Sequence, residues 1–184
     1  MMPRIIMVRH GRATGGWDDD PDPGLDGLGQ QQAHAIAEWL SSGPPVAIVS
    51  SPLRRCQETA APLATLWSAG VALVARVAEI PSPVNVPLDD RVGWLREACK
   101  GTWTELGQRY QAYRDDVAAY LLSLDHDTIV FSHFIAINAA IGAAAGDDRV
   151  VIHSLDNTSC TTFEHDGTTL QLVEAGTEAE TLFR

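Results

Sequence analysis

The sequence predicts an α/β layer fold with a largely parallel sheet. Two observations predict it. Short apolar, β-branched runs ("RIIMV", "VAIVS", "GVALVA" and "TIVFS") recur along the 184 residues, and helical patterns separate most of them. No repeat, linker or low-complexity tract interrupts the chain, so residues 1–184 are expected to form one domain with a core of its own.

The elements follow in order. "RIIMV" reads as a buried strand that ends at Arg9-His10-Gly11. A polar, glycine- and proline-rich loop follows. Asp26 then stands where a helix cap is wanted, ahead of a helix whose apolar face is Ala33, Ile36, Ala37 and Leu40. "GPP" stops that helix, and "VAIVS" is the second strand. Ser51 and Pro52 read as the N-cap and first residue of the next helix, with Leu53, Cys56, Ala60, Leu63 and Trp67 at helical spacing.

"GVALVA" is a third, shorter strand, and the proline-rich run after it, through about residue 100, is expected to be loop. Thr102 and Glu105 form a capping-box pattern at the head of one long helix through Leu124. "TIVFS" delivers His133, "FIAINAAIGAAAG" reads as a mostly buried helix ending at Gly146, and Asp166-Gly167 marks a hairpin.

Bulk composition excludes several classes. A formal charge of −11 argues against a nucleic-acid surface, which needs clustered Lys and Arg. No apolar run approaches the ~18 residues of a membrane span. The N-terminal "IIMV" is too short and too soon charged for a signal peptide. Cys56, Cys99 and Cys160 are widely spaced and fit three buried free thiols, which suits a cytoplasmic protein. No HxH or HExxH spacing links His34, His126, His153 and His165, so no zinc site is expected.

One local rule is broken. Arg54 and Arg55 sit in the first turn of a helix, where the macrodipole disfavours cations by a few tenths to roughly 1 kcal/mol. An anion between helix end and cation removes that conflict. Three polar groups fall at predicted strand ends, where ligands bind in such sheets: Arg9-His10-Gly11, Ser51 to Arg55, and Ser132-His133.

Taken together, "VRHG", "GLDGLGQQQA", "SSPLRRCQETA" and "FSH", in this order and at these intervals, resemble the histidine phosphatase superfamily, which includes the phosphoglycerate mutases. The resemblance implies a three-layer α/β/α, phosphoglycerate mutase-like fold. It implies His10 as a nucleophile that becomes phosphorylated, with Arg9, Arg55 and His133 holding the phosphoryl oxygens. Glu79, in "VAEIPSP", falls where the family has its proton donor; Glu97 in "WLREAC" is a rival. The chemistry needs no metal and no cofactor, since arginines and a protonated His133 supply positive charge.

Departures from the family pattern narrow the activity. Arg12 follows RHG where Glu or Gln is usual, Gly16 replaces the mutases' Asn, and no ERHYG-like stretch is present. The expectation is therefore a metal-independent phosphatase acting on a small phosphorylated metabolite or a phosphohistidine protein, through a phosphohistidine on His10. The alternatives are a phosphoglycerate-type mutase and a phosphate-binding module whose catalysis has decayed. No nucleic-acid or membrane partner is expected. Asp18-Asp19-Asp20 reads as a solvated turn that would repel strongly anionic substrates were it folded over the pocket. Trp17, Trp94 and Trp103 read as core or loop anchors.

Overall fold

The computed structural model describes residues 2–15, 20–87 and 90–179. Gly16, Trp17, Asp18 and Asp19 lie outside the described residues. In chain order the elements are β1 (Arg4–Arg9), α1 (Gly27–Leu40), β2 (Ala47–Ser50), α2 (Arg54–Trp67), β3 (Val71–Leu73), α3 (Arg91–Ala98), α4 (Trp103–Leu106), α5 (Gln108–Leu122), β4 (Thr128–Ser132), α6 (Phe134–Ala145), β5 (Cys160–His165) and β6 (Leu170–Glu174).

The six strands form one sheet in the order β3-β2-β4-β1-β5-β6. The β1–β4, β2–β4 and β2–β3 pairings are parallel, while the C-terminal hairpin adds β5 and β6 antiparallel at one side. The sheet is thus mostly parallel. β4 threads between β1 and β2, and all five of its residues are buried, as a central strand covered on both faces requires.

Alternation along the strands divides the core into two layers. Ile5, Met7, Val49 and Val130 point to the side covered by α5 and α6, where Val117, Leu121, Ile137 and Ile141 pack. Val8, Ile48, Ile129 and Phe131 point to the other side, against Ala37, Leu40, Ala60 and Leu63 of α1 and α2. The expected three-layer α/β/α arrangement is what forms. α6 is buried on every face from Phe134 to Gly142, which is why its sequence carries no polar stripe.

Four expectations are corrected. The helix after β2 starts at Arg54 with Leu53 as its N-cap, so neither Ser51 nor Pro52 opens it. Ser51 instead accepts from the Leu53 N–H at 3.2 Å and faces the site. The capping box of Thr102 and Glu105 forms, but it caps only the four residues of α4. Gly107, at φ +92°, then breaks the chain, and α5 starts anew. The stretch expected as loop through residue 100 contains α3, whose few buried positions leave little periodicity to read. Finally, only Cys56 is fully buried; Cys99 and Cys160 are half-buried. Trp103 is fully buried and Trp94 packs against the core beside Tyr110, so both are anchors.

Candidate active site

Sheet register decides what meets at the carboxyl edge. Arg9 pairs with Ser132 and Ser50 with Phe131, so the next residues, His10, Ser51 and His133, leave three adjacent strand ends side by side. The His10 N–H bonds the Ser132 carbonyl at 3.0 Å, and the Ser51 N–H bonds the Phe131 carbonyl at 2.9 Å. The three constellations far apart in sequence are one constellation in space.

His10 is 8% exposed. Its Nδ1 lies 2.8 Å from the Gly11 carbonyl, which can only accept, so Nδ1 carries the proton and Nε2 presents a lone pair. Arg55 Nε donates to that Nε2 at 3.2 Å. Burial, then the charges of Arg55 and Arg9, hold the imidazole well below its ordinary pKa and therefore neutral.

The loop carrying His10 is clamped from several directions. Thr59, four residues after Arg55 on the same helix face, accepts from the Gly11 N–H at 3.0 Å and donates to the Arg55 carbonyl at 2.6 Å. Asn157 donates to the His10 carbonyl at 2.9 Å. A Cβ on Gly11 would sit 2.7 Å from the Gly29 carbonyl, so the loop reaches the first turn of α1 only with glycine there. Arg12 is spent on this scaffold: its Nε binds the N-cap Asp26 at 2.5 Å.

Arg9 and Arg55 flank the imidazole. Arg9 Nη1 donates to the Leu155 carbonyl at 2.5 Å, and its guanidinium lies 5.0 Å over the Phe134 ring. Thr158, in the left-handed region at φ +55°, bonds the Arg9 carbonyl and fixes the strand end from the far side. Arg9 Nε and Arg55 Nη1 are buried with no hydrogen-bond partner among the described residues. Charged N–H groups left so are costly, and an anion shared between them would relieve the cost. Arg54 differs: it is exposed and pairs with Glu58 at 2.7 Å, as expected of an arginine facing away from the site.

His133 is fully buried as the N-cap of α6, its ring centre 5.2 Å from that of His10. Its Nε2 shares a hydrogen bond with Ser51 Oγ at 2.8 Å and lies 3.3 Å from the Cys56 thiol. Burial, followed by the charges of Arg55, His10 and Arg9, holds the pKa of His133 well below the ordinary value. A phosphate dianion on the arginines offsets the charges that disfavour the imidazolium of His133.

Glu79 follows the 3-10 turn after β3 and accepts from the Ile80 N–H at 3.0 Å. Burial raises its pKa, against that N–H bond and the pull of Arg55 and Arg9, so a proton is retained more readily than on a surface carboxyl. Glu79 and Arg55 border a cavity of about 160 Å³ with Leu53, Ile80, Ser82 and Arg91. The rival Glu97 is exposed on α3 and paired with Lys100 at 2.6 Å. Among the described residues no three His, Cys, Asp or Glu side chains gather as metal ligands.

The chain belongs to the histidine phosphatase superfamily. The profile of that superfamily's branch 1 matches residues 5–82, from β1 through Glu79. A glucosyl-3-phosphoglycerate phosphatase of Mycolicibacterium vanbaalenii is 30% identical over 163 residues, covering 81% of this chain and 67% of its own. The PE-PGRS family protein PE_PGRS11 of Mycobacterium tuberculosis is 44% identical over 108 residues, which are 54% of this chain; the chain spans only 18% of that much longer protein. A mycobacterial glucosyl-3-phosphoglycerate phosphatase solved with inorganic phosphate superposes with a TM-score of 0.73 over 96% of this chain and 98% of that one, at 22% identity. That likeness concerns the fold. No helix among the described residues is long and apolar enough to cross a membrane.

Proposed function

We propose that the protein is a phosphatase that hydrolyses phosphate monoesters of small metabolites through a phosphohistidine on His10, without a metal. One observation carries this reading: two arginines, each with a buried N–H that has no partner among the described residues, flank a neutral imidazole whose Nε2 is unprotonated and faces Arg55. Its membership of a superfamily with phosphatase relatives agrees.

The steps follow from the groups present. The phosphoryl group enters between Arg9 and Arg55, whose forks match its oxygens and neutralise the charge that repels a nucleophile. His10 Nε2 forms the N–P bond as the ester P–O bond breaks, and the departing oxygen takes the proton of Glu79. His133 donates a hydrogen bond to the transferring oxygens, where charge builds in the transition state. Water then attacks phosphorus, Glu79 accepts its proton, and the N–P bond breaks to return neutral His10 with release of inorganic phosphate. The unpaired thiols of Cys56, Cys99 and Cys160 are consistent with a reducing, cytoplasmic setting.

Turnover of an aryl phosphate in excess chelator tests the reading. Wild type retains its rate with chelator, and His10→Ala loses it. Loss of the rate to chelator overturns the metal-free route, and turnover by His10→Ala overturns the nucleophile.

A further inference from the structure

No helix or strand holds Glu79, which lies between the 3-10 turn Ala75–Val77 and α3. Buried Val77 and Ile80 anchor the run on either side of it. Carbonyls at the end of a helical turn lack partners within the turn and need donors from elsewhere. Two hydroxyls supply them. Ser132, fully buried at the end of β4, donates from Oγ to the Val77 carbonyl at 2.7 Å. Tyr113, on α5, donates from Oη to the Ala78 carbonyl at 2.9 Å, its ring packed beside that of Trp103.

A peptide unit is rigid and planar, so a bond to its carbonyl also fixes the Cα of the residue that follows. Ser132 thus holds the plane between Val77 and Ala78, and Tyr113 holds the plane between Ala78 and Glu79. Ser132 reaches the nucleophile as well: its carbonyl accepts the His10 N–H at 3.0 Å, and His133 is the next residue. A single hydroxyl-bearing residue, placed after the buried apolar run Ile129 to Phe131, therefore ties the proton donor's backbone to that of the nucleophile. We infer that Ser132 and Tyr113 are positioning residues for Glu79: their hydroxyls hold the last two peptide planes before it and set where its carboxyl meets the leaving oxygen and the attacking water. The inference rests on the reading of Glu79 as acid and base.

4-Nitrophenyl phosphate separates the two steps. Its leaving group needs little acid, so phosphorylation of His10 reads the phosphate cup, whereas water attack on the phosphohistidine needs Glu79 as base. Release of nitrophenol is followed by stopped flow for wild type, Tyr113→Phe, Ser132→Ala and Ser132→Thr, each with and without Glu79→Gln. Tyr113→Phe and Ser132→Ala are expected to give a burst at close to the wild-type rate of phosphorylation. Their steady turnover then slows about ten- to hundredfold, the loss that a displacement of up to about 1 Å brings. Ser132→Thr, which keeps the hydroxyl, restores most of the steady rate. Added to Glu79→Gln, neither Tyr113→Phe nor Ser132→Ala slows steady turnover further, because the group they position is already gone. Loss of a merely structural contact slows burst and steady phase together, and that result overturns the inference. So does a steady phase at the wild-type rate, or full additivity with Glu79→Gln. Thermal melting reports whether each variant is folded; should Ser132→Ala not fold, Tyr113→Phe carries the comparison. A wild-type steady phase in Glu79→Gln overturns the role of Glu79, whereas a slow Glu79→Gln beside unimpaired Tyr113→Phe and Ser132→Ala overturns this inference alone.

Discussion

Thr59 is the joint between the two halves of the phosphate cup, and Thr59→Val tests whether that joint matters. Valine has threonine's shape without its hydroxyl. The Gly11 N–H loses its hydrogen-bond acceptor among the described residues, Thr59 Oγ1 at 3.0 Å, in a site where Thr59 is fully buried. An unsatisfied buried N–H costs about 1–3 kcal/mol. The Arg55 carbonyl also loses the 2.6 Å bond from the hydroxyl. For a chain of this size each kcal/mol lowers the melting temperature by about 2–4 °C, so a drop of about 2–12 °C is expected by calorimetry. Function should suffer more than stability. Gly11 adjoins the nucleophile and its carbonyl sets the imidazole's tautomer, and a displacement of about 1 Å costs about a hundredfold in rate. We therefore expect kcat/KM for an aryl phosphate to fall about ten- to hundredfold in Thr59→Val, and Thr59→Ser to restore most of it. A valine variant with wild-type melting and kinetics refutes this reasoning, as does a serine variant as impaired as valine.

Two further outcomes concern Glu79 and pH. Glu79→Gln should release aryl alcohol in a burst and then slow, because an aryl leaving group needs little acid help while the phosphohistidine still needs a base; Glu97→Gln should show neither, and a burst in the latter variant reassigns the role. Stability should decline as pH falls from 7 toward 5. Folding holds His10 and His133 below the ordinary imidazole pKa, so the unfolded chain takes up protons first, from about pH 6.5 downward. Glu79 opposes this, since its raised folded pKa favours the folded chain as pH falls toward about 4.5, but one carboxyl faces two imidazoles. The combined variant His10→Asn and His133→Asn should flatten the melting profile between pH 7 and 5.5; a wild-type profile already flat there contradicts the assignment.

Much of this site was legible because its residues break local rules or sit at strand ends. Arg55 in a helix first turn pointed to an anion, and "TIVFS" as a buried strand placed His133 at its tip. The carbonyl that sets the His10 tautomer belongs to Gly11, the next residue in the chain. What escaped notice depends on contacts that no short window contains. Asn157 reaches His10 across 147 residues, and its sequence neighbourhood carries only turn residues. Ser51 reads as a helix cap because Pro52 follows it, yet the turn of residues 51–53 frees its hydroxyl for His133. The apolar residues of α3 do not keep to one face, so the run that carries Arg91 reads as loop. Gly107 hid a helix break, since a glycine within an amphipathic run reads as tolerated until its positive φ is seen. Thr59 alone carried a usable signal, its i+4 spacing from Arg55.

The most direct measurement is rapid quench of turnover with a labelled phosphomonoester, followed by mapping of the label on the protein. His10 acting as nucleophile predicts a phosphoryl group on His10 that is lost in acid, stable in alkali, chased by water, and absent from His10→Ala. Label on another residue, or steady turnover with no labelled protein at any quench time, contradicts it.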